Sequence, residues 1–363
     1  MSQNIYFKGL NGIRAIAAII VLIWHLDQFS YLLNIKKIGI SDNGMAGQAV
    51  NMFFVLSGFL ITYLLLTEGE LNTGINIKKF YIRRILRIWP LYYLVLIISL
   101  FFIYFGIIKE PHEIWNSVIF YSFLLANIPY VLSISIATIT PLWSVAVEEQ
   151  FYIIWPHLFK SKKNIYNKLI LFFLLYNVLK LSIYFLLGSN SILYHFIVLA
   201  RFDIMCIGAF GAYLIFINKN KYLKIIYSKI VQLLSWGIFL FSISYKPLHV
   251  FSFIDNEINS IFYLFIILNI SCNPKTIISL ENKFFNYLGK ISYGLYVYHM
   301  IIIFLLAFFV KKSNYQLNFF SYYCLVISST ILVSYLSYNY FEMFFLRKKH
   351  KYSLIKSGNK LND

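Results

Sequence analysis

The chain has 363 residues, of which 60% are hydrophobic, 20% aromatic and only 13% charged, about half the charged content of a soluble domain. A soluble globule has no place for so much Ile, Leu, Phe and Tyr, and apolar runs long enough to cross a bilayer recur from end to end. Secreted disulfide scaffolds, nucleic-acid-binding domains and disordered chains are excluded, and the net charge of +18 reads as basic residues in the cytoplasmic loops of a polytopic membrane protein.

The first apolar run, 12–34, holds polar residues and is followed by no small-residue cleavage site, so it reads as a membrane helix rather than a cleavable signal. In GLNGIRAIAAIIVLIWHLDQF it carries Arg14 and His25. Eleven steps of 100° return the two to one face, about 16 Å apart along the axis. Taken singly, Arg14 is a cation reaching the inner headgroups or a binding group, and His25 a packing residue or a catalytic one. The shared face makes the bland readings less comfortable. The run 45–67 contains VNMFFVLSGFLIT, where Asn51, Ser57 and Gly58 predict close helix contact.

Next comes FYIRRILRIWPLYY, at the start of the run 88–108. Arg84 and Arg87 stand at i, i+3 on one helical face. Paired guanidinium groups there suit a phosphate or pyrophosphate, or else anchor the helix on the positive-inside side. The run 114–133 contains Asn116, Asn127 and Pro129 and makes a poor free-standing span.

The run 142–159, PLWSVAVEEQFYIIWP, places Glu148 and Glu149 side by side in apolar sequence. Adjacent helical residues point about 100° apart, so the two face different surroundings, and each buried carboxylate needs a partner. Tyr152 lies at i+3 from Glu149 and Ser144 at i−4 from Glu148. Further runs cover 168–187, 196–217, 225–244, 257–272, 291–310 and 319–341. In 196–217, Arg201 and Asp203 predict a structural intramembrane ion pair. In 291–310, His299 reads as an aromatic-flanked packing histidine. Cys206, Cys272 and Cys324 lie in or beside apolar runs without metal or redox spacing and read as core residues.

Eleven spanning runs would put Lys160, Lys162 and Lys163 outside. If 114–133 does not span, the basic stretches 78–87, 160–168, 219–229, 275–290 and 347–360 all face the cytoplasm. The fold class expected is therefore an all-α polytopic membrane protein. It has about ten transmembrane helices, both termini cytoplasmic, and 114–133 re-entrant or interfacial on the outer side. Residues 1–346 form the membrane domain and 347–363 a basic cytoplasmic tail.

Together LNGIRAIAAIIVLIWH, NMFFVLSGFLIT, FYIRRILRIWPLYY, PLWSVAVEEQFYIIWP, RFDIMCIGA and YLGKISYGLYVYH resemble the acyltransferase 3 family of integral-membrane acyltransferases. They occur in the family's order between residue 9 and about 299. The resemblance implies transfer of acetyl groups from cytoplasmic acetyl-CoA, a donor substrate rather than a permanently bound cofactor. The acceptors would be extracytoplasmic glycans such as O-antigen, capsule or exopolysaccharide, free or lipid-linked, at the cell (inner) membrane among its lipids, with no nucleic acid and no metal. It makes His25 the catalytic histidine with Arg14 its motif partner, Arg84 and Arg87 the donor-side pair, and Glu148, Glu149 and Tyr152 catalytic or acceptor-side support. Asn11 and Asn51 stand where many members carry Asp. The soluble esterase-like domain fused to some members does not occur in this sequence, so the membrane unit is expected to act alone or with partners.

The expected mechanism has Arg14, Arg84 and Arg87 hold the CoA phosphates while the pantetheine arm runs up the first helix to His25. That histidine serves as general base or acyl carrier. Glu149, or else Glu148, orients the imidazole. The competing class is a polytopic transporter using intramembrane Arg, Glu and His, although no inverted repeat is visible; a non-catalytic scaffold is the third.

Overall fold

The computed structural model describes residues 3–71, 74–110, 113–353 and 355–357. The helices run in chain order as α1 Leu10–Gln28, α2 Met45–Leu71, α3 Ile77–Tyr104, α4 Trp115–Ser122 and α5 Asn127–Val131. There follow α6 Leu142–Leu158, α7 Ile165–Leu187, α8 Ile192–Ala200, α9 Phe202–Phe216, α10 Asn220–Ile226 and α11 Lys229–Ser244. The last are α12 Asp255–Cys272, α13 Lys283–Lys290, α14 Ser292–Ser313, α15 Phe319–Leu336 and α16 Met343–His350. A six-residue π-helical stretch, Ser337–Glu342, joins α15 to α16. Two three-residue strands, β1 Gln3–Ile5 and β2 Ile355–Ser357, pair in parallel and bring the two ends of the chain side by side.

Among the described residues seven helices are long and apolar enough to cross a membrane, counting α8–α9 as one and α15–α16 as one. The pair α10–α11, bent by 56°, makes an eighth if it counts as one span. Of the other expected spans, α6 has only 17 residues, and α12 dilutes its apolar run with Asp255, Asn256, Glu257 and Asn259. No single helix crosses 114–133. It folds as α4 and α5 with a break between them, and its flanks meet: the Glu110 carboxylate accepts the Ala137 N–H at 3.0 and 3.2 Å. The expected tail 347–363 begins inside α16, and residues 354 and 358–363 lie outside the described residues.

α2 is the central helix, packed by α1, α6, α9, α11 and α12. The expected close contact is found against α9. A Cβ on Gly58 would stand 1.9 Å from the Met205 carbonyl oxygen, and one on Gly208 would stand 2.0 Å from that of Val55. The two backbones therefore touch where small residues face each other, the arrangement that holds membrane helices together without a hydrophobic driving force. Side-chain caps start α3 (Asn76), α8 (Ser191), α11 (Ser228), α13 (Asn282) and α15 (Asn318), each accepting a backbone N–H in the first turn. α1 starts differently: Gly9, at φ 68°, gives its N–H to the Glu281 carboxylate at 2.6 Å. Of the three cysteines only Cys206 is buried. Cys272 is half-buried, and Cys324 is exposed because α15 turns that face outward; the expectation of a core residue is corrected for Cys324.

Candidate active site

A cavity of about 330 Å³ opens between α1, α2, α3, α6, α14 and the C-terminal helix. Its walls carry five basic residues (Arg14, Arg84, Arg87, Lys290 and Lys349) against two carboxylates (Glu148 and Glu342). The sequence places Arg84 and Arg87 on one helical face, and that face is turned into this space. Arg83, next to them, points elsewhere: it is buried, pairs with Glu68 at 2.6 Å and donates to the Tyr352 carbonyl at 3.0 Å. Arg84 has no such partner. Its guanidinium carbon sits 5.8 Å from the Phe80 ring centre and 5.7 Å from that of Tyr152, and its Nε is buried without a hydrogen bond. Among the described residues none of Arg14, Arg84, Arg87 and Lys349 makes a side-chain hydrogen bond or an ion pair.

The two glutamates divide as their 100° offset requires. Glu148 faces the cavity and accepts a hydrogen bond from the Tyr152 hydroxyl at 2.8 Å, one turn along α6, and Tyr152 is bonded in turn to Ser57 of α2. Glu149 faces α3, where Trp89 Nε1 donates to it at 2.8 Å, and its second oxygen is buried and unpaired. Tyr152 is thus the partner of Glu148 at i+4, not of Glu149 at i+3.

His25 does not line the cavity. It lies half-buried on α1, its Nδ1 2.9 Å from the Val21 carbonyl and 3.2 Å from Nε2 of His299 on α14. Nδ1 of His299 faces the Leu295 carbonyl at 3.1 Å. A carbonyl only accepts, so each ring carries its proton on Nδ1, and the His25 N–H is shared between Val21 and the lone pair of His299 Nε2. The arrangement leaves His25 Nε2 as a bare basic nitrogen. Among the described residues no hydrogen bond or ion pair joins His25 to Glu148 or Glu149. The side chain that meets its imidazole is that of the buried His299, which is thus paired as well as packed. Tyr296 links the two regions: it lines the cavity, bonds Ser144 at 2.7 Å, and has its ring centre 6.2 Å from that of His299.

Five of the seven expected site residues therefore meet at one cavity: Arg14, Arg84, Arg87, Glu148 and Tyr152. His25 stands beyond Tyr296, and Glu149 points away. Among the lining residues that the sequence does not single out are Glu342, Tyr338 and Lys349. Glu342 and Tyr338 enter from the π-helical stretch, whose wider turn is a common device at functional sites. The carboxylate of Glu342 inside apolar sequence was a usable signal. Lys349, in a basic run that reads as an ordinary tail, gave none.

The acyltransferase-domain family profile matches residues 7–339, nearly the whole chain. The chain belongs to the acyltransferase 3 family. It is 30% identical over 363 residues to the O-acetyltransferase OatA of Staphylococcus aureus strain NCTC 8325, a match covering 93% of this chain and 57% of that one. A peptidoglycan O-acetyltransferase, OatA of Listeria monocytogenes, is 36% identical over 159 residues, 42% of this chain and 24% of its own. The chain thus spans a little over half the length of the full-coverage relative. No solved structure matches it significantly.

Within this family member the second charged cluster differs from expectation. Arg201 and Asp203 do not pair. Arg201 sits at φ 48° in the break between α8 and α9, which turns its side chain toward α2, where it donates to Asn51 at 2.6 Å and to the Gly47 carbonyl at 3.2 Å. Asp203 instead takes Lys180 of α7 at 3.1 Å, and Lys180 also bonds Glu257 of α12. Asn51, where many members carry Asp, thus meets Arg201 with an amide oxygen rather than a carboxylate.

Proposed function

We propose that this protein transfers an acetyl group from cytoplasmic acetyl-CoA to a hydroxyl of an extracytoplasmic glycan. The observation that carries the reading is the cavity with four cations lacking a hydrogen-bond or ion-pair partner among the described residues, Arg14, Arg84, Arg87 and Lys349, walled in part by α1 and α14, the helices that carry the His25–His299 pair. Cations without carboxylate partners in apolar surroundings are costly unless an anion joins them, and the phosphates of CoA are such an anion. The pantetheine arm then follows α1 past Tyr296 toward His25. Nε2 of His25 takes the proton of the acceptor hydroxyl as its oxygen attacks the thioester carbon. The C–S bond breaks, and the imidazolium returns the proton to the leaving thiolate. In the alternative order Nε2 itself attacks the thioester carbon, the C–S bond breaks to release CoA thiolate, and the acetyl-imidazolium gives its acetyl group to the acceptor hydroxyl, whose proton goes to the thiolate. His299 holds the tautomer in both. Glu148 and Tyr152 serve the thioester side of the cavity, and Glu149 positions α3 against α6 through Trp89. The relatives' names favour a cell-wall or other surface glycan as acceptor, free or lipid-linked, at the cell membrane.

The topology proposed with this function has ten spans, both termini cytoplasmic and 114–133 outside, with 347–363 a basic cytoplasmic tail. The pairing of β1 with β2 supports an even number of crossings, and the Glu110–Ala137 contact supports a segment that leaves and returns on one side. In a background lacking the three native cysteines, Lys109→Cys and Leu132→Cys should both label from outside; opposite sides would break the ten-span arrangement.

The chemical test uses purified protein, acetyl-CoA and a glycan acceptor, with acetylation read by mass spectrometry. His25→Ala and His25→Gln should both abolish transfer while CoA binding stays within about twofold. A well-folded His25→Gln variant with near-wild-type transfer would overturn the assignment.

A further inference from the structure

A small recess of about 20 Å³ adjoins the main cavity, between α2, α3 and the C-terminal segment. Its polar walls are Glu68, Arg83, Arg84, Lys349 and Ser353. Arg84 and Lys349 border both spaces, so the recess is a side branch of the cavity. Glu68 is already committed to Arg83 at 2.6 Å and to the Asn76 N–H at 3.2 Å, and Arg83 is committed to Glu68 and the Tyr352 carbonyl. The charges left over are those of Arg84, whose buried Nε has no acceptor, and Lys349. Lys349 is only 8% exposed, makes no side-chain hydrogen bond or ion pair among the described residues, and has Arg87, Arg84, Arg14 and Arg83 as the charges acting on it. A buried ammonium set among four guanidinium groups, of which only Arg83 has a carboxylate partner, is costly, and an anion between them offsets that cost.

We propose that the mouth of this recess, where Arg84 and Lys349 border the main cavity, binds a phosphomonoester, the 3′-phosphate of the CoA donor, through those two side chains. The inference rests on the donor reading above and extends it. The recess itself has room for about one water, so the dianionic monoester sits on the cavity side of it, while the pyrophosphate has the other arginines. Lys349 lies beyond residue 339, where the family match ends.

The test compares CoA with dephospho-CoA, which lacks only that phosphate, on the full-length protein in detergent. Wild type should bind CoA about tenfold or more tighter, the worth of one charge-assisted contact. Lys349→Gln should bring the ratio to within about twofold by weakening CoA far more than dephospho-CoA, and Lys349→Arg should keep most of it. Thermal unfolding of both variants close to wild type establishes that they fold. Equal binding of the two ligands by wild type overturns the subsite and leaves the donor reading standing. So does a Lys349→Gln variant that loses both equally. Wild type that binds neither ligand overturns the donor reading and the subsite with it. Equal binding of both ligands, with phosphatidate raising the unfolding temperature of wild type but not of Lys349→Gln, would give the site to a lipid headgroup and overturn its assignment to the 3′-phosphate.

Discussion

Lys180 and Lys349 are both buried lysines, and their surroundings are opposite. Lys180 meets two carboxylates from two other helices, Asp203 at 3.1 Å and Glu257, with its ammonium 4.4 Å from the Phe253 ring centre. Lys349 has no ion-pair or side-chain hydrogen-bond partner among the described residues, and the charges acting most on it are those of Arg87, Arg84, Arg14 and Arg83. The first cluster pairs its cation and ties α7, α9 and α12 together, with one Glu257 oxygen left over; in the second, with Arg14, Arg84 and Arg87, no cation is paired among the described residues. Burial alone therefore does not mark a functional charge in this bundle. What marks it is burial without a partner of opposite sign, since a completed cluster already balances the desolvation of its members.

The largest effect expected from this contrast is on folding. Lys180→Met leaves Asp203 and Glu257 facing each other without a cation, which should cost about 3–5 kcal/mol, read as a fall in thermal unfolding temperature in detergent. Replacing all three by apolar residues of similar size should recover much of the loss, because a completed ion cluster and a well-packed apolar one are close in energy. A Lys180→Met variant with normal stability and no acyl transfer would break the contrast by moving that cluster into the chemistry.

The cavity side predicts the reverse pattern. Arg84→Lys combined with Arg87→Lys should leave stability unchanged, since neither arginine has a hydrogen-bond or ion-pair partner to lose among the described residues. The ring contacts of Arg84 with Phe80 and Tyr152 are ones an ammonium can also make. The change should weaken CoA binding by about 2–4 kcal/mol, because an ammonium cannot reproduce a bidentate guanidinium contact. Calorimetric titration with CoA measures this directly. Unchanged affinity would reduce the pair to a positive-inside anchor.

This contrast also explains what could be read from the sequence and what could not. Arg84 and Arg87 were legible because an i, i+3 spacing fixes a shared face whatever surrounds the helix. The division of Glu148 from Glu149 followed from helical geometry, but not which one faced the cavity, since that depends on how α6 is rotated against α3. Arg14 and His25 share a face of α1, yet the cavity ends at Tyr296, a residue on α14 far away in sequence. The pairing of His25 with His299 joins residues 274 positions apart, and no local pattern carries it. Arg201 misled for a backbone reason: a left-handed residue between two helices sends its side chain away from the neighbour two positions on. Lys349 was hidden by composition, as one lysine in a basic run whose others face outward.

The smallest effect concerns a charge of a third kind, outside the membrane helices and partnered by neutral donors. The Glu281 carboxylate accepts the Tyr6 hydroxyl, the Gly9 N–H at 2.6 Å and the Asn286 amide at 2.7 Å, and so fixes the start of α1 one turn before Arg14. Burial pushes its pKa up, but the hydrogen bonds from Tyr6, Gly9 and Asn286 and the charge of Lys8 outweigh that and hold it below the ordinary carboxylate value. With the folded pKa depressed, the folded state prefers the ionised form. The stabilisation is therefore complete above the unfolded value of about 4.3 and disappears as pH falls through the lower folded value. Water reaches this group, so Glu281→Gln should cost only about 1 kcal/mol at pH 7, seen as a small drop in unfolding temperature. The gap between wild type and variant should narrow as pH falls below about 4.3, because protonated Glu281 and Gln then both present a neutral side chain to Gly9. A gap that stays constant from pH 7 to pH 3.5 would mean that the charge of Glu281 contributes nothing and that shape alone seats α1.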